Sequence, residues 1–355
     1  MSKPTKVYIL GAGCSVCGGY PVANQVTAKL LKFAHERLSH DGAEQLRRCT
    51  VETCARMQEL DVHTIDQLAE HLNGENPVAI REAKLAMSAY FFSIEEAAVE
   101  RAYANYEAFF EELFQYGQSH FLEDRAKTTP CRVITYNYDR LFERTFIKWA
   151  KSKEPRHEGM LSELDRFVKK FLTMGIGDLG DITFEPNRFC FLKLHGGIGQ
   201  FNRTGDYGMN HIYWPQLGTS LPDFNDEHYY KRKGYEIDIA TIVVPADKKV
   251  ESRPPQEHSF RVYMDAVEEQ AKVFCQEAQE IHIIGYSLQH VDYISFKRLI
   301  SETKNCRRIV LHNKASEKVT LMRALEGLKE EIQAKWKIEF EAEDFFCRKP
   351  LSTVD

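Results

Sequence analysis

The chain predicts a doubly wound α/β fold, and three features of the sequence predict it. Short apolar runs recur along its 355 residues, each closed at once by glycine, asparagine, histidine or proline. Their Val/Ile/Leu content is continuous rather than alternating, as in strands covered on both faces of a parallel sheet. Between them lie stretches with apolar residues at helical spacing, and strands alternating with helices are the mark of this class.

Taken in order, the predicted strands are Val7–Leu10 before Gly11, Arg132–Tyr136 before Asn137, and Phe189–Leu194 before His195. Ala240–Val244 before Pro245, Ile281–Ile284 before Gly285, and Arg308–Leu311 before His312 follow. Trp336–Phe340 alternates apolar and charged residues, as an edge strand does. Predicted helices span Ala23–Leu38, Asn137–Ala150, Val262–Ala278 and Glu317–Lys335. Residues 43–128 hold helix formers and no convincing strand, so they read as an inserted helical subdomain. There Tyr103, Tyr106, Phe110, Leu113 and Phe114 recur at steps of three and four, a stripe that must bury itself in a core or a subunit interface. The stripe is offered either to the sheet or to a neighbour, and a homo-oligomer is expected. Residues 199–235 have weak periodicity and read as an irregular insertion or lid, and 346–355 as a tail. The core is then 1–42 with 129–345.

Composition narrows the class. A net charge of -5 leaves no basic footprint, so nucleic acid is not indicated. No apolar stretch approaches the roughly 18 residues of a membrane span, and the N-terminus reaches only four apolar residues before Gly11. The nine cysteines are scattered and odd in number, which suits reduced thiols in the cytoplasm. Only Cys14 and Cys17 form a C-x-x-C pair, so neither a zinc ribbon nor any other metal site is expected.

In an open parallel sheet, ligands bind beyond the carboxyl ends of the strands. Every polar or glycine-rich motif here begins at such an end. Gly11-Ala12-Gly13 resembles the start of a dinucleotide fingerprint, in which glycines permit a tight turn and a close approach to pyrophosphate. The third glycine is replaced by Val16, which demotes a hydride-transferring Rossmann enzyme. A turn serving geometry alone is the competing reading. Cys14 and Cys17 could form a redox dithiol, but their glycine-rich flanks favour a phosphate loop. Asn137 can fix a water or a sugar hydroxyl, or bond its own backbone. Asp139 can line a site or cap the helix that follows. His195, before Gly196 and Gly197, carries an imidazole suited to act as a general base near neutral pH.

Together, Gly11–Ser15 with Gly19-Tyr20-Pro21, Tyr136-Asn137-Tyr138-Asp139, Leu194-His195-Gly196 and Gly285-Tyr286-Ser287-Leu288 resemble the ordered motifs of the sirtuin superfamily. They are most similar to its bacterial sirtuin-like branch of antiphage NAD hydrolases. The resemblance implies a Rossmann-like core that takes NAD as substrate. It implies that Gly11, Ala12, Gly13, Cys14 and Ser15 hold the phosphates and the nicotinamide side, with Asn137 and His195 catalytic. Asp139 would lie near the carboxamide. Ser287 and Asn313 would contact the adenosine half, Gly285 would also bind the cofactor, and Asp292 is a further candidate. The paired cysteines and the Phe-Gly-Glu strand of sirtuin deacylases have no counterpart here, which weakens a deacylase reading without touching NAD cleavage. NAD-dependent deacylation, ADP-ribosyl transfer and non-catalytic nucleotide binding stay as alternatives. Because destroying NAD is toxic, the resemblance also implies control by oligomeric state or by a separate activating or sensor protein.

Overall fold

The computed structural model describes residues 5–39, 43–72, 76–114, 131–153, 190–198, 201–204, 210–213, 236–238, 255–287, 290–301, 303, 305–342 and 346. The chain divides into two compact units. The first comprises Met1–Gly19, Ala97–Leu194 and Met264–Asp355; the second comprises Tyr20–Glu96 and His195–Tyr263.

The first unit is built on a six-stranded sheet. Its strands are β1 (Lys6–Leu10), β2 (Cys131–Thr135), β3 (Cys190–Lys193), β7 (Glu280–Ile284), β8 (Arg308–His312) and β9 (Lys337–Glu341). They lie in the order β3-β2-β1-β7-β8-β9, and every pairing is parallel. This is the doubly wound, Rossmann-like order, in which the chain starts at the centre, runs to one edge, then returns and runs to the other. β9 is the edge strand that the alternation around Trp336–Phe340 predicts. The predicted strand Ala240–Val244 lies outside the described residues.

Register sorts the two faces. Val7, Ile9, Ile281, Ile283, Ile309 and Leu311 share one face and are buried. Arg132 belongs to it and lies 4.5 Å over the ring of Phe274, from helix α6 (Pro255–Glu277). On the other face Tyr8 meets Phe109 edge-on, from helix α4 (Pro77–Phe114), and Phe191 stacks on Phe142 at 4.6 Å, from helix α5 (Leu141–Lys153). Helices α7 (His290–Ser301) and α8 (Lys318–Glu331) belong to the same unit.

The aromatic stripe is satisfied within this unit. Phe110 packs edge-on against Phe146 at 5.2 Å, Phe114 stacks on Trp149 at 5.4 Å, and Tyr106 stacks on Phe346 at 4.2 Å. Such pairs contribute roughly 0.5–1.5 kcal/mol beyond the apolar area they bury. The stripe therefore needs no neighbouring subunit to cover it.

The second unit is mainly helical in its first part: α1 (Val26–Glu36), α2 (Glu44–Glu59), α3 (Ile65–Leu72) and residues 77–96 of α4. Local chemistry sets two of the helix starts. Thr64 and Gln67 form a reciprocal capping box, with Gln67 N donating to Thr64 Oγ1 and Thr64 N to Gln67 Oε1. Asn76 caps α4 by accepting from Ala79 N at 3.0 Å, and Pro77 occupies the first helical position, where its missing N–H is harmless. The excursion at 199–235, irregular by its sequence pattern, contains β4 (Phe201–Thr204) and β5 (Asn210–Tyr213). With β6 (Glu236–Asp238) they form a three-stranded antiparallel sheet.

One polar feature lies within the large sheet. His282 Nδ1 and His312 Nε2 are 2.8 Å apart, His282 Nε2 is bonded to Glu280, and His282 stacks on Tyr8. Burial pushes the His282 pKa below its ordinary value, against the opposing pull of Glu280. An unfolded chain has an ordinary histidine at this position, so below about pH 6.5 it binds a proton that the folded chain resists. Stability should therefore rise with pH through the window below 6.5 and fall as pH drops. Urea unfolding midpoints at pH 5.5 and 7.5 test this, and His282→Gln should show the smaller difference. An equal pH response in both proteins would remove His282 as the cause.

Candidate functional site

The order of strands reverses between β1 and β7, and in open α/β sheets that reversal opens a crevice beyond the strand ends. Here the loop after β1 meets the loop after β7. Gly11 N donates to Ile284 O at 2.9 Å, Gly13 N to Gly285 O at 2.8 Å, and Cys14 Sγ to Ile284 O at 3.1 Å. The turn then runs into a short 3-10 helix, Ala12–Gly18, rather than directly into an α-helix. A Cβ on Gly13 would lie 2.7 Å from Gly285 Cα, and one on Gly11 would lie 2.5 Å from Tyr286 Cα. Gly285 itself has φ +60, a conformation that side chains rarely tolerate. At the Cβ position of Gly13, then, the demand for glycine comes from a neighbouring loop.

The loop after β2 closes over this turn. Asn137 Nδ2 donates to Gly11 O at 3.0 Å and to Ser15 Oγ at 3.2 Å. Gly11 O can only accept, which fixes the orientation of the amide. Both amide hydrogens are engaged, leaving Oδ1 as an acceptor on a half-buried side chain. Ser15 Oγ in turn donates to Asp139 Oδ2 at 2.8 Å, and Ser15 is 2% exposed. The other Asp139 oxygen accepts from Leu141 N at 2.9 Å, capping α5. Asp139 thus performs the capping role that its position before a helix allows, while also anchoring Ser15.

Two charged residues that motif reading passed over lie beneath this loop. Lys193 Nζ is 2.9 Å from Glu143 Oε1 and also donates to the carbonyl of Asp139. Both side chains are buried. Burial pushes the Glu143 carboxyl up, and Lys193 pulls it back. Tyr106 donates to Cys14 O at 3.2 Å, and its burial raises the phenol well above its ordinary value. The sequence shows Lys193 only as part of a strand and Tyr106 only as part of a stripe; their partners lie too far along the chain for spacing to pair them.

The structure thus gathers Gly11, Gly13, Cys14, Ser15, Asn137, Asp139 and Gly285 at the reversal of strand order. Asn313 joins through Nδ2, which donates to Tyr286 O at 3.2 Å. Ala12 and Ser287 are exposed, and Asp292 falls within α7. His195 is the first residue of its part of the second unit; it is 4% exposed, and Gly196 follows it with φ 60. Among the described residues no group of three or more His, Cys, Asp or Glu side chains is arranged to hold a metal, and no helix is long and apolar enough to cross a membrane.

Cys14 and Cys17 both carry free thiols, and each donates to a backbone carbonyl. Elsewhere burial pushes Cys54 and Cys306 up to about 11, and Cys275 also rises. Thiolates are the reactive form, so Cys54, Cys275 and Cys306 should escape iodoacetamide at pH 7.5 in the folded protein. They should be alkylated once it is unfolded. Mass spectrometry of the digests checks this, and labelling of all three in the native state would contradict their burial.

Sheet order and loop placement define a doubly wound, Rossmann-like α/β protein. No family model and no curated protein sequence matches the chain. Among solved structures, it is similar to a Sir2 homologue in complex with NAD, at 14% identity over 93% of this chain and 91% of that one, with a TM-score of 0.39. Two Sir2 homologue mutants in complex with ADP-ribose match at 13% and 12% identity, with TM-scores of 0.42 and 0.39. Each of these covers 94% of this chain and 96% of its own.

Proposed function

We propose that this protein is an NAD glycohydrolase, cleaving NAD to nicotinamide and ADP-ribose. The observation that carries the reading is the fixed amide of Asn137 at the reversal of strand order, with Oδ1 left to accept. Nicotinamide in NAD is already cationic and departs without a general acid, unlike the sugar oxygen of ordinary glycosides. What the protein must supply is an aligned water and a held ribose. Asn137 Oδ1 can take a hydrogen bond from either, and His195 is assigned to the ribose hydroxyl proton. The turn Gly11–Ser15 is assigned to the phosphates, Ser287 and Asn313 to the adenosine side, and Gly285 and Asp292 to further contacts with NAD.

The motif resemblance extends this reading to a cytoplasmic antiphage effector that depletes NAD when activated by a separate sensor protein. A homo-oligomer belongs to the same proposal. It now rests on that resemblance alone, because the aromatic stripe is covered within the chain.

The test is to incubate the purified protein with NAD and follow nicotinamide by chromatography, with and without an acyl-lysine peptide. Release that is indifferent to the peptide supports the hydrolase. Release only with peptide would make the protein a deacylase, and binding without turnover a regulatory module.

A further inference from the structure

We infer that Lys193, gripped by Glu143, is a positioning residue that sets the orientation of the Asn137 amide through Asp139 and Ser15. Its consequence for turnover rests on the NAD-cleaving reading above; the positioning itself does not.

The links can be followed atom by atom. Lys193 Nζ is 2.9 Å from Glu143 Oε1 and donates to Asp139 O. The Asp139 carboxylate accepts the Ser15 hydroxyl at 2.8 Å, and Ser15 Oγ accepts from Asn137 Nδ2 at 3.2 Å. Glu143 sits in α5, one turn after Asp139 caps that helix at Leu141 N. Lys193 is the last residue of β3 and is buried, as are Glu143, Asp139 and Ser15. The ammonium therefore ties the end of one strand to the loop leaving another.

Stability does not account for this arrangement. Taking two charges out of water is costly, and well-packed apolar residues often serve a core as well as a buried ion pair does. The neighbouring strand-end positions Phe191, Leu192 and Leu194 are apolar and buried, so the environment suits an apolar residue. An apolar residue at 193 would, however, remove the bond that Lys193 donates to the Asp139 carbonyl. The loop could then rotate, carrying Ser15 and the amide with it. Small misplacements of a positioning group can cost about a hundredfold in rate.

The test compares the parent with Lys193→Met and with the double variant Lys193→Met/Glu143→Leu. Lys193→Met strands a buried carboxylate and serves as the destabilised control. The double variant removes both charges, so it should fold with a melting temperature close to the parent's. Its Asn137 side-chain amide signals, read by NMR after selective 15N labelling of asparagine, should shift and lose their protection from exchange. With NAD, kcat should fall about ten- to a hundredfold while KM stays within about threefold. Should the double variant fail to fold, Lys193→Met/Glu143→Gln replaces it, with the same displacement of the amide signals and a several-fold fall in kcat. A folded variant whose Asn137 signals match the parent's overturns the inference, whatever its activity. A parent that releases no nicotinamide defeats the functional reading alone, since the amide signals still decide the positioning.

Discussion

Asn137→Ala should lower nicotinamide release by about a hundred- to ten-thousand-fold, the range typical of losing a group that directs proton transfer or a nucleophilic water. The expectation follows from how the amide is held. Both of its hydrogens are engaged by Gly11 O and Ser15 Oγ, so the carbonyl end is presented in one orientation only. Asn137→Asp is the sharper control. It keeps the volume but sets a carboxylate oxygen against the Gly11 carbonyl, so activity should fall as far as in the alanine variant. His195→Ala should show a comparable loss. The fold should survive the asparagine changes, since the side chain is half-buried and lies outside the apolar core. Circular dichroism and NAD affinity measured alongside turnover complete the comparison. Asn137→Ala and His195→Ala turning over NAD like the parent would show the site assignment to be wrong.

Gly285→Ala should be the most disruptive of the single substitutions. A Cβ there would lie 2.6 Å from Cys14 N, on a backbone already at φ +60. Overpacking and left-handed strain together should cost roughly 3 kcal/mol. Gly13→Ala lacks the strained φ but meets Gly285 Cα at 2.7 Å, and should cost about 1–3 kcal/mol. Urea unfolding without any nucleotide is the decisive measurement. If the glycine served only the approach of a pyrophosphate, Gly13→Ala would leave the free protein as stable as the parent and weaken only NAD binding. The geometry predicts loss of both, because the loop that would hold the phosphates is packed on the residue the new methyl displaces.

The sheet was largely legible in the sequence. Ile281–Ile284 and Arg308–Leu311 are continuous apolar runs that end in turn residues, and burial on both faces leaves no other economical use for such runs. The glycine turn and the Asn137–Asp139 motif were legible for a related reason: each must follow a strand end. The 38-residue helix α4 was legible only at its C-terminal end. Its earlier part buries Ala83, Ala86 and Tyr90 in one unit, while Tyr106, Phe110 and Phe114 are buried in the other, so no single stripe runs its length. The Lys193–Glu143 pair was illegible. Fifty residues separate its members in the chain, and a lysine at a strand end reads as exposed until its partner is seen. Asp139 shows the same limit from the other side. Its sequence position offered a cap or a site residue as alternatives, and its carboxylate in fact serves the cap and Ser15 at once.

The histidine pair in the sheet has a consequence in proton inventory. Glu280 can only accept, so the nitrogen of His282 facing it must carry hydrogen. Burial keeps His282 neutral, so its other nitrogen is bare, and the hydrogen in the contact with His312 belongs to His312. The remaining nitrogen of His312, Nδ1, lies 3.1 Å from Glu341 Oε2. His312 and His282 thus both point their shared hydrogens towards Glu280, a directed polar chain that runs from β8 into β7. Because Gly285 N bonds to the carbonyl of His312 at 2.9 Å, that chain begins one residue from the loop on which Gly13 rests. The crevice is therefore built beside a polar chain that belongs to the scaffold and asks nothing of the ligand.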